Sequence, residues 1–263
     1  MYENILTEID AGIGIVTLNR PERHNAFDDR TIAELIDALG KMDDDPAVRV
    51  VVLSSTGKSF SAGADLGWMQ RAAAQGYEEN LRDAVSLAEM LRRLAQLSKP
   101  TIARVQGPAY GGGVGVVAAC DIAVATFDAQ FALTEVKLGI IPGAISPHVI
   151  AAIGQRHARR YMLTAERFSA AEAYRLGLIH EMVADVAALD EAVGQIVDSL
   201  LGNGPAALTA CKMLIGAVAG KPLTLELVGE TARRIAAIRA TEEAQEGMAA
   251  FFAKRKPNWA PGD

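Results

Sequence analysis

The chain has 263 residues, of which 50% are hydrophobic and 22% charged, a composition typical of a globular protein with a full hydrophobic core. Its net charge of −6 offers no basic surface, so we expect no nucleic-acid partner. The N-terminal MYENILTEID lacks the basic and apolar segments of a signal peptide, and no apolar run is long enough for a membrane span. These features predict a cytoplasmic protein without a membrane partner.

The first half of the chain alternates predicted strands and helices. Residues 4–18 form two alternating apolar segments around an Asp10–Gly12 turn, which predicts a β-hairpin. The next predicted elements are a helix over 31–42, a strand over 48–55 buried on both faces, a helix over 77–97, a strand from 101, a short helix opened by glycines, and a strand over 121–126. This order predicts right-handed crossovers and a largely parallel sheet, the α/β class.

Beyond residue 145 the pattern becomes mainly helical. Ser169 and Glu172 have the spacing of a capping box, and Gly177 ends the helix that follows. Further helices are predicted over 189–201, 205–218, 223–239 and 242–253. We therefore predict an α/β core over residues 1–200 and a helical C-terminal region over 201–263.

Two cysteines, Cys120 and Cys211, lie far apart, with no spacing that indicates a disulfide or a metal site. Both occur in apolar helical contexts, so we expect buried, inert thiols. The sequence predicts no bound metal.

The most unusual stretch is GPAYGGGVGVVAACD, residues 107–121. A P-loop needs Lys and Ser or Thr after its glycines, and neither is present. Gly113, Gly115 and Ala118 have the spacing of a dinucleotide fingerprint, with Glu135 twenty residues after Gly115. That interpretation is weak, because QGPAY separates the strand from the glycines and because the next strand ends well before Glu135.

A third interpretation treats the helix start as the site. The first amides of a helix have no partner within it and favour negative charge, and glycines let a ligand atom reach them. A second turn of small residues, SFSAGADL at 59–66, also follows a buried strand. Two such turns in one sheet can direct two amides at a developing oxyanion. The alternative is that both are tight turns needed only for packing.

Four segments together resemble the crotonase superfamily, also called the enoyl-CoA hydratase/isomerase family. They are SFSAGADL, IARVQGPAYGGGVGVVAACDIAVA, FALTEVKLGIIPGA and FFAKRKPNW. The similarity extends from NRPERHNAF at residue 19 to the C-terminus. The order of the motifs is specific, although no single motif is.

This resemblance implies a spiral of ββα units with a helical trimerisation region, assembled as trimers or dimers of trimers. The substrate would be an acyl-CoA thioester, and coenzyme A would enter as part of that substrate, without another cofactor. The implied oxyanion donors are the amides of Ala64 and Gly112, and the implied catalytic acid–base group is Glu135. The implied contacts to CoA and the acyl group are Arg23, Ala26, Ser61, Ala62, Asp65, Leu66, Tyr110, Gly111 and Gly143.

The sequence departs from the typical hydratase pattern at Gly115, where the family commonly has a second glutamate. Water addition needs a base at C3 and an acid at C2, whereas one carboxylate can move a proton between C2 and C4. A hydratase, a Δ3-Δ2-enoyl-CoA isomerase and a non-catalytic acyl-CoA-binding protein therefore stay open. AGADLGWMQRAA and IIPGAISPHVIAAIGQRHARRYMLT resemble bacterial methylglutaconyl-CoA hydratases of leucine degradation, which favours hydration.

Overall fold

The computed structural model describes residues 2–260; residues 1 and 261–263, at the ends of the two predicted regions, lie outside the described residues. The strands are β1 Ile5–Asp10, β2 Ile13–Leu18, β3 Val50–Ser55, β4 Thr101–Val105, β5 Ala109–Tyr110, β6 Ile122–Thr126, β7 Gln130–Ala132, β8 Phe168–Ser169 and β9 Glu181–Val183. β1 and β2 pair antiparallel, and Ala11 and Gly12 between them adopt positive φ angles. The predicted hairpin is confirmed.

Two sheets organise the fold. The larger has the order β1-β2-β3-β4-β6-β9, and every pair after the hairpin is parallel. The smaller has the order β5-β7-β8, with β5 and β7 parallel. The predicted parallel α/β core is therefore confirmed, and the carboxyl ends of its central strands meet at one edge.

Ten helices complete the described chain. They are α1 Asp29–Asp44, α2 Leu66–Ala74, α3 Tyr77–Gln96, α4 Gly112–Ala119, α5 Ser146–Thr164, α6 Ala170–Leu176, α7 Val186–Leu201, α8 Pro205–Val218, α9 Leu225–Arg239 and α10 Glu242–Phe252. The sequence pattern missed α2, a short helix whose apolar residues Trp68, Met69 and Ala72 face the cavity described below and are only partly buried. Its clearest local signal is Asp65, whose carboxylate accepts from the amides of Gly67 and Trp68 at the helix start.

The hydrophobic core lies on both faces of the large sheet. Alternate residues of β3 belong to different clusters: Val51 and Leu53 face the larger one, and Val50 and Val52 face a smaller one covered by α7. This explains why β3 reads as a continuous apolar run. It also fixes the strand on both sides, so that the turn at its carboxyl end is held firmly.

The last three helices are anchored at a few points and otherwise lie at the surface. The Thr209 hydroxyl donates to the Ser98 carbonyl oxygen at 2.8 Å, and Lys212 pairs with Asp121 at 2.7 Å. α8 and α9 bury no residue, and α10 buries only Ala250. Within residues 2–260, no helix combines the length and apolar character of a membrane span.

The prediction for the cysteines is half right. Cys120 is buried, which confirms the predicted burial there, and this burial raises the pKa of its thiol. Cys211 is exposed, which makes the other prediction wrong. The physical reason is that the apolar residues of α8 do not pack into the core of this chain.

Candidate active site

The turn after β3 and the start of α4 lie in direct contact. Gly63 has a φ angle of +86°, and a Cβ atom built on it would lie 2.8 Å from the Tyr110 carbonyl oxygen and 3.4 Å from the Gly112 nitrogen. A side chain at position 63 would push these two segments apart. The glycine therefore permits the close approach that the two-turn interpretation requires.

Two backbone amides are left free where these segments meet. A short parallel bridge joins Phe27 to the turn: the Phe27 amide donates to the Gly63 carbonyl oxygen at 2.6 Å, and the Asp65 amide donates to the Phe27 carbonyl oxygen at 2.8 Å. The Ala64 amide lies between these two hydrogen bonds and has no acceptor among the described residues. The amide of Gly112, the first residue of α4, likewise has no acceptor among them. This arrangement suits an oxyanion hole.

Two of the predicted binding residues shape this turn through their side chains. Ser61 is fully buried; its hydroxyl donates to the Asn25 carbonyl oxygen at 2.8 Å and accepts from the Gly63 amide at 3.2 Å. The buried Asp65 carboxylate caps α2 and pairs with Arg20 at 3.3 Å. Their side chains thus hold the turn, which leaves the backbone of the segment to contact a ligand.

Glu135 follows β7 and begins a short 3-10 helix over Glu135–Leu138. Its Oε2 atom is buried and has no hydrogen-bond partner, and burial raises the pKa of the carboxyl group above its ordinary value. A Cβ atom built on Gly111 would lie 3.1 Å from Glu135 Oε1, so this glycine leaves room for the carboxylate beside the α4 start. A desolvated carboxyl group with one unpartnered oxygen atom is suited to proton transfer.

Position 115 has no space for a side chain. A Cβ atom built on Gly115 would lie 2.3 Å from Ile145 Cγ2 and 2.8 Å from Ile145 Cβ. Gly115 and Ile145 are both buried. The Ile145 side chain therefore fills the volume into which a carboxylate at position 115 would project.

We expect this packing to be measurable as a coupling between the two positions. Gly115→Ala should lower the free energy of unfolding in urea by about 1–3 kcal/mol through overpacking, although alanine is the better helix former by about 1 kcal/mol. In an Ile145→Gly background the same substitution should cost at least about 1 kcal/mol less, because both clashing atoms of residue 145, Cγ2 and Cβ, are gone. An equal cost in both backgrounds would show that Ile145 does not exclude the side chain.

The free amides and Glu135 line one cavity of about 440 Å³. Its wall is mostly apolar and includes Trp68, Met69 and Leu87 from α2 and α3, and residues 138 and 140–145 on the opposite side. Its described side chains with hydrogen-bonding groups are those of Trp68, Asn80, Asp83, Thr134 and Glu135, and the Trp68 Nε1 atom is buried without a partner. Such a cavity fits an apolar acyl group whose polar end reaches the amides.

The predicted site residues divide into two groups. Ala62, Ala64, Gly111, Gly112, Glu135 and Gly143 line the cavity. Arg23, Ala26, Ser61, Asp65, Leu66 and Tyr110 do not. Of this second group, Arg23 and Leu66 are exposed, and Tyr110 lies beneath the Arg167 guanidinium at 5.4 Å. Sequence patterns alone do not reveal Asn80, Asp83 and Ile145, because the position of these residues on the cavity depends on tertiary packing.

Comparison of the sequence and fold with those of known proteins indicates a single family. The sequence model of the enoyl-CoA hydratase/isomerase family matches residues 8–262. The chain is 34% identical to a crotonyl-CoA hydratase from Syntrophomonas wolfei, over 98% of each chain, and 32% identical to a short-chain-enoyl-CoA hydratase from Clostridium acetobutylicum, over 96% of each. The crystal structure of an enoyl-CoA hydratase from Shewanella pealeana superposes with a TM-score of 0.95 at 43% identity, covering 98% of this chain and 96% of the other.

These similarities extend over nearly the whole chain and include both the sequence and the three-dimensional fold. They confirm the predicted crotonase-like α/β fold. The chain belongs to the enoyl-CoA hydratase/isomerase family and is an enzyme of that family.

Proposed function

We propose that this enzyme adds water across the C2–C3 double bond of an enoyl-CoA thioester, or removes it in the reverse direction. The thioester oxygen accepts hydrogen bonds from the amides of Ala64 and Gly112, which stabilise the enolate. Glu135 exchanges the proton at C2. The observation that carries this proposal is the buried, unpartnered Oε2 atom of Glu135 in the cavity lined by the two free amides.

The CoA portion is proposed to run along the segments around residues 23–26 and 61–66, with Tyr110 nearby. Support comes from the way these segments are built: the Ser61 and Asp65 side chains are engaged internally, while Arg23 and Leu66 are exposed. Backbone groups and exposed side chains would therefore make the contacts. No cofactor other than the CoA of the substrate is part of this proposal.

We further propose that the C-terminal helices form the interface of a homotrimer or of a dimer of trimers. The support is a large apolar surface left uncovered in the single chain. Its exposed members include Met213, Ile215, Leu223, Leu225, Val228, Ile235, Met248, Phe251 and Phe252. Covering such a surface with other copies of the chain removes apolar area from water.

The substrate class proposed from the sequence resemblance is a branched glutaconyl-CoA such as methylglutaconyl-CoA, in leucine degradation. Its second carboxylate needs a cationic or hydrogen-bonding partner. Among the described residues that line the cavity, none is Lys, Arg or His. The distal carboxylate would therefore accept hydrogen bonds from a neutral donor of the wall, the Thr134 hydroxyl or the unpartnered Trp68 indole N–H, or would reach solvent or a cation from a neighbouring subunit.

A second candidate function is Δ3-Δ2-enoyl-CoA isomerisation. The observation that favours it is the filled volume at Gly115, which leaves Glu135 without the second glutamate that typical hydratases use. One carboxylate can carry a proton between C2 and C4 of the acyl chain. This reaction would use the same two amides.

A panel of three substrates separates these functions. Purified enzyme is assayed with crotonyl-CoA, a 3-enoyl-CoA and methylglutaconyl-CoA, following products by liquid chromatography and CoA binding by calorimetry. We expect water addition to crotonyl-CoA or methylglutaconyl-CoA, with the faster of the two identifying the acyl class. Turnover of the 3-enoyl-CoA alone would establish the isomerase, and binding without any turnover would establish an acyl-CoA-binding protein.

A further inference from the structure

The proposed hydration needs two proton-transfer groups, one for the attacking water and one for C2. Glu135 is one of them, and position 115 cannot supply the other because Ile145 fills its volume. A second group must therefore come from a different element of the cavity wall. The described polar side chains that line this wall are few enough to consider one at a time.

Besides Glu135, they are Trp68, whose indole N–H can only donate, and Asn80, Asp83 and Thr134. The Asn80 Nδ2 atom donates to the carbonyl oxygens of Ala72, Gln75 and Gly76, at 3.1, 3.3 and 3.2 Å, so its amide joins the end of α2 to the start of α3. Neither this amide nor the Thr134 hydroxyl accepts a proton readily near neutral pH. Asp83 is the remaining Brønsted base.

The packing of α3 directs Asp83 to the cavity. Met90, Leu91 and Leu94 of this helix are buried in the core. Asp83 and Ala84, with Leu87 one turn later, line the cavity. Asp83 is partly buried, and it makes no ion pair or hydrogen bond with the residues that the structure describes. Its oxygen atoms are therefore free to bind water.

The other acidic neighbour is already engaged. Asp29 borders a small cavity of about 90 Å³ together with Asp83 and Trp68, and its carboxylate pairs with Arg71 at 2.7 Å. Asp83 has no such ion pair. Among the described residues, it is the carboxylate that shares the acyl cavity with Glu135 without a protein partner.

We infer that Asp83 is the second acid–base residue of the hydration, an assignment that rests on the proposed hydratase function. A water molecule held by Asp83 attacks C3, directly or through one further water, and Asp83 takes one of its protons as the C3–O bond forms. The C2–C3 π electrons move into the enolate, whose oxygen is bound by the two free amides. Glu135 delivers a proton to C2, and solvent then carries the proton from Asp83 back to Glu135. One water molecule is added in total.

The assignment predicts that Asp83→Asn separates two activities. The variant keeps the size of the side chain but cannot take a proton, so kcat for hydration of the preferred enoyl-CoA should fall about 10²–10⁴-fold, with KM within about threefold of the wild-type value. Exchange of the C2 protons of butyryl-CoA in D₂O, followed by NMR, needs only Glu135 and the amides and should persist. Glu78→Gln, an exposed change on the same helix, is the matched control and should alter neither activity.

The outcomes distinguish this assignment from the function on which it rests. Hydration by Asp83→Asn within threefold of wild type overturns the role of Asp83 alone. Loss of both hydration and C2 exchange in this variant also overturns it, because the defect is then structural. A wild-type enzyme that exchanges C2 protons but hydrates no substrate overturns the hydratase proposal and the Asp83 assignment together.

Discussion

Glu135→Gln is expected to reduce hydration about 10²–10⁴-fold while leaving acyl-CoA binding nearly unchanged. Glutamine has the same shape and occupies the space beside Gly111, but it cannot give a proton to C2 or take one from it. Steady-state kinetics with the preferred enoyl-CoA and calorimetry with a saturated acyl-CoA measure the two quantities separately. The exchange of C2 protons in D₂O should be lost as well.

The matched control is Glu181→Gln, which changes an exposed glutamate of β9. It should retain wild-type hydration and binding. Unchanged turnover in Glu135→Gln would remove this residue from the mechanism. A joint loss of turnover and acyl-CoA binding would instead indicate that the carboxylate organises the cavity.

The second large effect is expected from removing one oxyanion donor. Gly112→Pro deletes the amide hydrogen at the first position of α4, where a helix tolerates proline. We expect kcat to fall about 10²–10³-fold, equivalent to about 3–4 kcal/mol of transition-state stabilisation. Binding of a saturated acyl-CoA should weaken as well, because the proline Cδ atom replaces the amide hydrogen and points toward the position of the thioester oxygen.

Gly112→Ala is the matched control for this variant. Any Cβ atom at position 112 lies 3.2 Å from Phe27 Cδ2, so alanine and proline share this contact, but alanine keeps the amide hydrogen whereas proline replaces it with Cδ. Thermal unfolding of both variants checks that the fold persists. Equal activity of folded Gly112→Pro and Gly112→Ala would contradict the oxyanion role of this amide.

Local patterns were sufficient to predict much of the fold. The alternation of residues 4–18 predicts the hairpin, and the apolar run at 48–55 predicts a strand whose residues face two cores. The glycines at 111–113 likewise predict the start of α4. Each of these signals lies within one short segment of the chain, so it can be recognised in the sequence without knowledge of the fold.

Other features depend on contacts between distant segments. α2 is short and none of its residues is fully buried, and Cys211 is on a helix that buries no residue within the described chain, so apolar pattern alone misassigns both. The contact of Ile145 with Gly115 joins residues on α4 and at the start of α5. Asp83 resembles any polar residue of an amphipathic helix until the fold places α3 on the cavity. The roles proposed for these positions could be recognised only from the structure.

The contact between Gly115 and Ile145 also limits how this lineage can change. A single substitution that introduces a carboxylate at position 115 would clash with the buried Ile145 side chain. Such a variant would lose stability, whatever it gained in activity. A smaller residue at 145 would have to come earlier and persist without an immediate benefit. A carboxylate at position 115 therefore requires a second substitution, at position 145, that makes room for it.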